Sequence, residues 1–353
     1  MSDTTDDSRL RSLVSWLVLI ALVTAVSLAL GVLGLPSPLL FGGLVGGLAF
    51  ALGSSRELDV PRWSFILGQA IIGVTVGASV DFDTLAQLGP DWPAVLLVSV
   101  LTLVLSVGAG QLLRLHRGVT TVTASFASVA GGASGMTALA HDLGADDRVV
   151  TVIQYLRVLV ILLAMPAAVS FAFHAESGGA AATGASPTTW PSVIYAAAAV
   201  TLGLGLGRLL RLPSPAVLGA LVAAILLSLL PVFGGIGVPT WIQDTGFVLI
   251  GVQVGLRFTA ESLRAIGRML PTAILVITII IVGCAGLGLL LAAVTGVSEV
   301  DAYLATTPGG LYAVLATSTA IGGNVTFVTA VQLIRLLLVL LVAPFLARWL
   351  VRR

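Results

Sequence analysis

Charged residues are scarce in this sequence, and lysine is missing from it altogether. Only 9% of the residues are charged, whereas a soluble globular domain carries about 25%. All 17 basic residues are arginines, and the formal net charge is +1. Such a chain lacks the charge that covers a soluble domain, and its charge balance gives no sign of a nucleic-acid partner. We therefore predict an all-α integral membrane protein.

Groups that could hold a metal or carry out covalent catalysis are also few. The single cysteine, Cys284, lies in an apolar run and cannot form an internal disulfide. The three histidines, His116, His141 and His174, belong to different segments and have no metal-binding spacing. A Walker motif and a Gly-x-Ser-x-Gly element are both missing. We predict that the chain is not an enzyme and uses no metal or cofactor.

What the sequence does contain is one pattern that occurs twice, 178 residues apart. Gly131-Gly132 recurs as Gly309-Gly310, and the register does not slip before Pro166 recurs as Pro344. Duplicated membrane units of this kind are typical of secondary transporters. We predict a first membrane repeat at 1–173, a flexible linker rich in Gly, Ala and Ser at 174–189, and a second repeat at 190–353.

Each half contains six apolar segments, and a spanning helix needs about 20 apolar residues. The second segment of each half is shorter than that. The twelve segments are Leu13–Leu35, Pro38–Leu52, Pro61–Val80, Trp92–Leu115, Val119–Leu143, Val149–Phe173, Pro191–Leu210, Pro215–Leu230, Pro239–Phe258, Leu270–Val294, Ala302–Ile321 and Val325–Leu350.

The fifth segment of each half is interrupted by glycine. Its centre is Gly131-Gly132 in the first half and Pro308-Gly309-Gly310 in the second. Glycine and proline at this density break a helix, and broken backbone survives at membrane depth only where protein or water covers it. The segment is therefore either a re-entrant hairpin or a discontinuous spanning helix.

The arginines favour the re-entrant hairpin. If the fifth segment enters and leaves on one side, every arginine cluster faces the cytoplasm, as the positive-inside rule requires. The loops without arginine, which include 174–189 and Gly296–Asp301, then face outwards. We therefore predict about five spanning helices and one hairpin per repeat, two inverted repeats, and a multi-pass protein of the inner (plasma) membrane with both termini in the cytoplasm.

Two arginines lie inside apolar runs, where a charge is costly and needs a partner. Arg157 and Arg335 correspond in the two repeats, and Gln154 and Gln332 precede each by three residues, on the same helix face. Either the guanidinium groups bind an anionic solute, or they satisfy carbonyl groups freed at the glycine breaks; both can hold. The candidate solute-binding residues are Arg157, Arg335, Gln154, Gln332, Gly131, Gly132, Ser134, Gly135, Gly309, Gly310 and Tyr312.

Other polar and small residues have supporting or structural interpretations. Asn324 and Thr326 could add ligands near the second break, while Gln69 and Gln253 either bond across helices or line the site. Asp146 is expected at the cytoplasmic surface. The glycines at 42, 43, 46 and 47 are expected to serve close helix packing.

The duplicated elements resemble the membrane AbrB family. The resemblance rests on Gln69 to Gly77 with its echo from Gly251 to Gly255, and on Gly131-Gly132 to Arg157 with its echo from Pro308 to Arg335. Family members are often labelled ammonia monooxygenase or regulator of aidB, and an unrelated DNA-binding protein shares the name. The family is distantly similar to the cation:proton antiporter/anion transporter group, which implies secondary transport by movement of a hairpin-bearing core.

These observations lead to one main functional expectation. We expect a secondary transporter of a small, anionic solute that works by alternating access where the repeats meet. Its expected partners are the lipid bilayer, the solute, a coupling ion and a second copy in a homodimer. The alternative is a membrane protein involved in the regulation of gene expression. An oxygenase is disfavoured because metal ligands are missing from the sequence.

Overall fold

The computed structural model describes residues 3–35, 37–54, 58, 60–80, 89–116, 119–130, 145–173, 185–186, 188–212, 214–257 and 267–351. Almost all of them are helical. In the first half the helices are α1 (Asp3–Val32), α2 (Pro38–Gly53), α3 (Arg62–Ala78), α4 (Trp92–Gly110), α5 (Thr121–Ser128) and α6 (Asp147–Ala167). In the second they are α7 (Trp190–Leu209), α8 (Pro215–Ser228), α9 (Thr240–Gly255), α10 (Leu270–Thr295), α11 (Glu299–Thr306), α12 (Leu311–Ala320) and α13 (Val325–Val351).

Short irregular pieces complete these elements. A 3₁₀ turn at Gln111–Leu115 extends α4, and a π turn at Ala168–Ala172 follows α6. Pro166 inside α6 removes one backbone donor, and a π turn is a common response to such a disruption. The strands β1 (Ala185–Ser186) and β2 (Val238–Pro239) form one parallel pair.

Five of the described helices are long and apolar enough to cross a membrane: Leu13–Val32, Trp92–Leu115, Val149–Ala172, Trp190–Leu209 and Leu270–Thr295. Four shorter apolar helices, Pro38–Gly53, Arg62–Ala78, Pro215–Ser228 and Val325–Val339, fall below that length. The chain is therefore an all-α membrane protein, as predicted. The expected number of spans per repeat stays a prediction.

The chain folds into two compact units, and each unit takes segments from both halves of the sequence. Unit 1 comprises 1–78 and 176–261, and unit 2 comprises 79–175 and 262–353. These are groupings in space, whereas the predicted repeats at 1–173 and 190–353 are groupings along the chain. The predicted repeats therefore stay a prediction, and the linker at 174–189 lies mostly outside the described residues.

Unit 1 is held together by exchanged helix pairs. Helix α2 packs on α9, and α3 packs on α8. Glycines make both contacts close, because a Cβ at Gly73 or Gly251 would collide with a backbone carbonyl of the facing helix, that of Val217 or Leu40. Close approach through small residues is how apolar helices associate in a membrane. The prediction that the α2 glycines serve packing is confirmed, since Gly43 faces the backbone of α9.

Unit 2 places two long helices, α4 and α10, against each other and surrounds them with the shorter ones. Its apolar core draws on both halves, with Phe126 and Ile153 from the first half beside Ile277 and Val339 from the second. Helix α5 packs on α6, and α11 packs on α13, so each short helix lies against the long helix that follows it.

Candidate functional site

A short helix of unit 2, α11, stops abruptly in the middle of an apolar segment. Ser298 caps its start by accepting a hydrogen bond from the Asp301 N–H at 3.1 Å. The helix ends because Thr307 precedes Pro308, and a residue before proline avoids the helical region. Thr307 is extended accordingly, with φ −58° and ψ 126°. The last carbonyl groups of α11 are therefore left without helical partners.

Two side chains of α13 satisfy those carbonyl groups. The Gln332 amide donates to the carbonyl oxygen of Leu304 at 2.8 Å and to that of Thr307 at 3.2 Å. Nη1 of Arg335 donates to the carbonyl oxygens of Thr306 and Thr307, both at 2.9 Å. The Arg335 guanidinium also donates through Nη2 to Oε1 of Gln332 at 2.6 Å, which fixes the two side chains relative to each other. We call this pair the second Gln–Arg clamp.

The same contacts recur in the first half, and we call Gln154 and Arg157 the first Gln–Arg clamp. The Gln154 amide donates to the carbonyl oxygens of Phe126 at 2.6 Å and Val129 at 2.8 Å. Arg157 donates to the carbonyl oxygen of Ser128 and to Oε1 of Gln154, both at 2.8 Å. Every one of these contacts has a counterpart 178 residues later. The paired glutamines and arginines therefore do the same structural work at the ends of α5 and α11.

Of the two interpretations of the arginines, the geometry directly shows the second, in which each guanidinium satisfies freed carbonyl groups. The positive charge also lies at a helix C-terminus, where it complements the negative end of the helix dipole. This explains how the broken helix ends are tolerated in an apolar interior. It does not use up the binding capacity of the arginines, because a guanidinium has five N–H donors.

Neither arginine has an acidic partner in the part of the chain that the structure describes. Arg157 is 3% exposed and Arg335 6% exposed, and neither lies within ion-pair distance of an acidic side chain in the described part of the chain. Nε of Arg157 is buried and has no hydrogen-bond partner there. Unit 2 therefore contains two buried positive charges that lack a counter-ion among the described residues.

The second glycine break lies against the helix that carries Arg157. A Cβ at Gly309 would meet Ile161 at 3.1 Å and Met165 at 3.6 Å. Arg157, Ile161 and Met165 are spaced four residues apart along α6 and share one face. The break of the second half and the clamp of the first half thus lie along the same face of α6.

The structure separates the remaining candidate residues into three groups. Asn324 lies at the start of α13, where its Oδ1 accepts from the Phe327 N–H at 3.0 Å, and the buried Thr326 donates to the carbonyl oxygen of Ser79 at 3.4 Å. Gln253 lies in unit 1 and donates to Ser64 Oγ at 2.8 Å, which confirms bonding across helices, here from α9 to α3. Gln69 lies half-buried in α3. Gly131, Gly132, Ser134, Gly135 and the side chain of Tyr312 lie outside what the structure describes.

One functional candidate was missed by the sequence analysis. Asp301, expected in an outward-facing loop, lies inside α11 and is only 6% exposed. Its Oδ1 accepts from the Asn324 N–H at 2.9 Å and its Oδ2 from Ser298 Oγ at 2.7 Å. The sequence does indicate a helix start here, because Ser298 and Asp301 have the spacing of a capping motif.

Comparison with known proteins identifies the family. The model of the family described as "Transition state regulatory protein AbrB" matches residues 39–351. The chain belongs to the AbrB family. It is 31% identical over 336 residues, 95% of this chain and 96% of the relative, to the Escherichia coli (strain K12) protein named "Putative regulator AbrB". It is 26% identical over 299 residues, 80% of this chain and 77% of the relative, to "Uncharacterized protein YhjN" of Bacillus subtilis (strain 168). The resemblance that the sequence motifs indicated is confirmed.

Proposed function

We propose that this AbrB-family chain is a secondary transporter of a small anionic solute. The observation that carries the proposal is the pair of buried guanidinium groups, Arg157 and Arg335, which have no acidic partner among the described residues. A buried charge without a counter-ion is costly. An anionic solute that binds next to both groups removes that cost.

The charge balance points to a solute with one negative charge. The two arginines contribute two positive charges, and the C-termini of α5 and α11 each contribute about half a negative charge. The sum is about one positive charge. A monocarboxylate or a similar monoanion neutralises it and can accept the free Nε–H of Arg157.

The helical pieces support the membrane arrangement of the proposal. The first turn of α11 bonds to the residue that precedes α13, since Asp301 accepts from the Asn324 N–H. A re-entrant hairpin would likewise bring its entry and its exit together on one side. Arg335 lies eleven residues beyond Asn324, about 16 Å along a helix, which is about half the thickness of the hydrocarbon core.

The proposed arrangement is two inverted repeats whose hairpins meet near the bilayer midplane. The recurrence of both Gln–Arg clamps at one offset supports it. The protein would lie in the inner (plasma) membrane with both termini in the cytoplasm, and alternating access at the meeting point of the repeats would move the solute. The chain would move its solute without chemical change.

Transport currents test the proposal. The purified full chain is reconstituted in proteoliposomes and exposed to a panel of mono-, di- and tricarboxylates on a solid-supported membrane. We expect a current for a monocarboxylate and its loss in the Arg157→Gln, Arg335→Gln double variant. Arg208→Gln, at an exposed arginine of α7, makes the same chemical change outside the clamps and should keep the current. A double variant that transports like the parent protein would refute the role of the arginines.

The name of the Escherichia coli relative, "Putative regulator AbrB", raises a regulatory role as the second candidate. If regulation follows from the solute that is moved, the transport-deficient double variant should also lose any effect on transcription. If the transcriptional effect persists without transport, a regulatory partner is indicated instead. Metal analysis of the purified protein tests the oxygenase label, which predicts bound copper or iron.

A further inference from the structure

An apolar groove runs along α1 in unit 1. It has a volume of about 860 Å³ and lies between α1, the starts of α2 and α3, and one face of α9. Nine residues of α1, from Trp16 to Val32, line it at three- and four-residue spacing. That stretch measures about 24 Å along a helix, which is most of the hydrocarbon thickness of a bilayer, about 30 Å. The groove therefore follows a membrane-spanning helix over most of its apolar length.

The width of the groove decides what kind of molecule fits into it. Over a length of about 24 Å, a volume of about 860 Å³ corresponds to a mean cross-section of about 36 Å². An α-helix with its side chains is about 10–12 Å wide and occupies about 80 Å² or more. A hydrocarbon chain in van der Waals contact is about 4–5 Å wide and occupies about 15–20 Å². One or two lipid chains therefore fit along the groove, whereas a helix could only lie across its mouth.

Two tryptophans add hydrogen-bond donors at one end of the groove. Trp16 of α1 and Trp63 of α3 both line it. Helix α2 runs antiparallel to α1, since Gly42, early in α2, lies against Ser27, late in α1. Helix α2 therefore ends near Trp16, and the chain enters α3 from that end of the groove. Neither indole N–H donates to a residue that the structure describes.

The start of α3 also brings a positive charge to this end. Arg62 precedes Trp63, is exposed and pairs with no acidic side chain of the described ranges. Gln253 of α9 fixes this segment by donating to Ser64 Oγ at 2.8 Å and to the Pro61 carbonyl oxygen at 3.4 Å. This end of the groove thus offers two N–H donors and a guanidinium group, which suit oxygen acceptors that carry negative charge.

We propose that the groove binds one phospholipid, with its acyl chains along α1 and its ester and phosphate oxygens at Trp16, Trp63 and Arg62. A phospholipid combines the two features that the groove requires, a long apolar body and a cluster of acceptor oxygens at one end. A helix of a second copy does not, because its backbone carbonyl groups are satisfied within the helix. Tryptophan and arginine are residues that membrane proteins place at the level of the headgroups. The site belongs to unit 1, apart from the Gln–Arg clamps of unit 2, and does not rest on the proposed transport function.

Native mass spectrometry of the purified full chain tests binding. The protein in detergent micelles is titrated with palmitoyl-oleoyl phosphatidylglycerol. We expect one phospholipid to bind more tightly than any that follow. The thermal unfolding midpoint should rise with its occupancy, because a ligand that binds only the folded state stabilises it. A series of weak, equivalent additions without a tighter first one would overturn the proposal.

A glycine on the groove provides the sharpest variant. Gly31 lines the groove, and a Cβ there would meet nothing within 4 Å, so Gly31→Leu fills the groove without disturbing the packing of α1. Gly205→Leu on α7 is the matched control, because its Cβ also meets nothing within 4 Å and it does not line the groove. We expect the apparent Kd of the first phospholipid to rise about tenfold or more in Gly31→Leu, the usual effect of overpacking. The control should keep the parent value.

Two further variants test the polar end of the groove. Trp63→Phe keeps an aromatic ring and removes the N–H, so we expect a Kd about fivefold higher, the effect of one hydrogen bond. Trp190→Phe, at an exposed tryptophan outside the groove, is its control. Arg62→Gln should raise the Kd about tenfold, because it removes a charged donor. Arg208→Gln, at an exposed arginine of α7, should not.

The outcomes separate the possible occupants. If Gly31→Leu and Gly205→Leu bind phosphatidylglycerol equally well, the groove is not the lipid site and the proposal is overturned. A protein dimer that forms without bound phospholipid and is disrupted by Gly31→Leu would assign the groove to a second copy, which also overturns it. Tight phospholipid binding without a carboxylate current refutes transport and leaves this site standing.

Discussion

Replacing Gln332 by leucine removes three hydrogen bonds and leaves the side-chain volume nearly unchanged. Two of them go to the carbonyl oxygens of Leu304 and Thr307, and the third comes from the charged Arg335. Leucine cannot replace any of them, while Thr307 keeps its contact with Arg335. We expect Gln332→Leu to destabilise unit 2 without creating a cavity.

The size of the effect follows from these contacts. Hydrogen bonds between membrane helices contribute about 0.6 kcal/mol on average, which gives about 2 kcal/mol for three. Loss of a buried bond to a charged group costs about 1.5–3 kcal/mol by itself, which raises the upper value to about 4 kcal/mol. We therefore expect a loss of about 2–4 kcal/mol in the free energy of unfolding.

SDS titration in mixed micelles measures this free energy for the purified protein. Gln154→Leu removes the equivalent three bonds of the first Gln–Arg clamp and should lose a similar amount. Gln69→Leu is the matched control, because Gln69 makes no hydrogen bond to a described residue of unit 1 or unit 2. Its loss should stay below about 0.5 kcal/mol.

The double variant with Arg335→Leu adds an independent check. Because Gln332 and Arg335 bond to each other, the two losses should not add. If Gln332→Leu and Gln69→Leu lose the same free energy, the clamp does not stabilise the broken helix end, and the explanation of the paired arginines is wrong.

Two further predictions concern packing and sidedness. Gly251→Ala should destabilise the protein by about 1–3 kcal/mol, because the added methyl group meets the backbone of α2. Gly205→Ala on α7 is the control and should not destabilise it, because its methyl group meets nothing within 4 Å. Equal free energies of unfolding for the two variants would contradict the packing. In a Cys284→Ala background, Ala182→Cys should react with an impermeant maleimide in intact cells and Arg353→Cys only after permeabilisation. Labelling of the 182 position only after permeabilisation would refute the inverted arrangement.

Much of the secondary structure could be predicted from the sequence, because long apolar runs bounded by proline leave little choice. The run Pro38–Leu52 became the helix Pro38–Gly53, and Trp92–Leu115 became a helix with a 3₁₀ extension over the same residues. The start of α11 was placed three residues late, at Ala302, because the capping residues ahead of it are polar and read as a loop.

The partners of the candidate site were harder to predict. Gln154, Arg157 and their counterparts stand out as polar residues in apolar runs, but the groups they bind are backbone carbonyls, which any residue carries. The burial of Asp301 could not be predicted either, since it depends on α11 and α12 folding back together. The grouping of segments into units depends on long-range packing, which sequence periodicity does not report.

The exchanged pairing in unit 1 constrains how the protein is made. Helix α3 is synthesised early. Its packing partner α8 is synthesised only after residues 79–175, which belong to unit 2, and after α7. Until then its glycine face stays against lipid. Neither half can therefore reach its final packing by itself, and a chain truncated after residue 173 should leave α2 and α3 without their partners from the second half and open to membrane proteases.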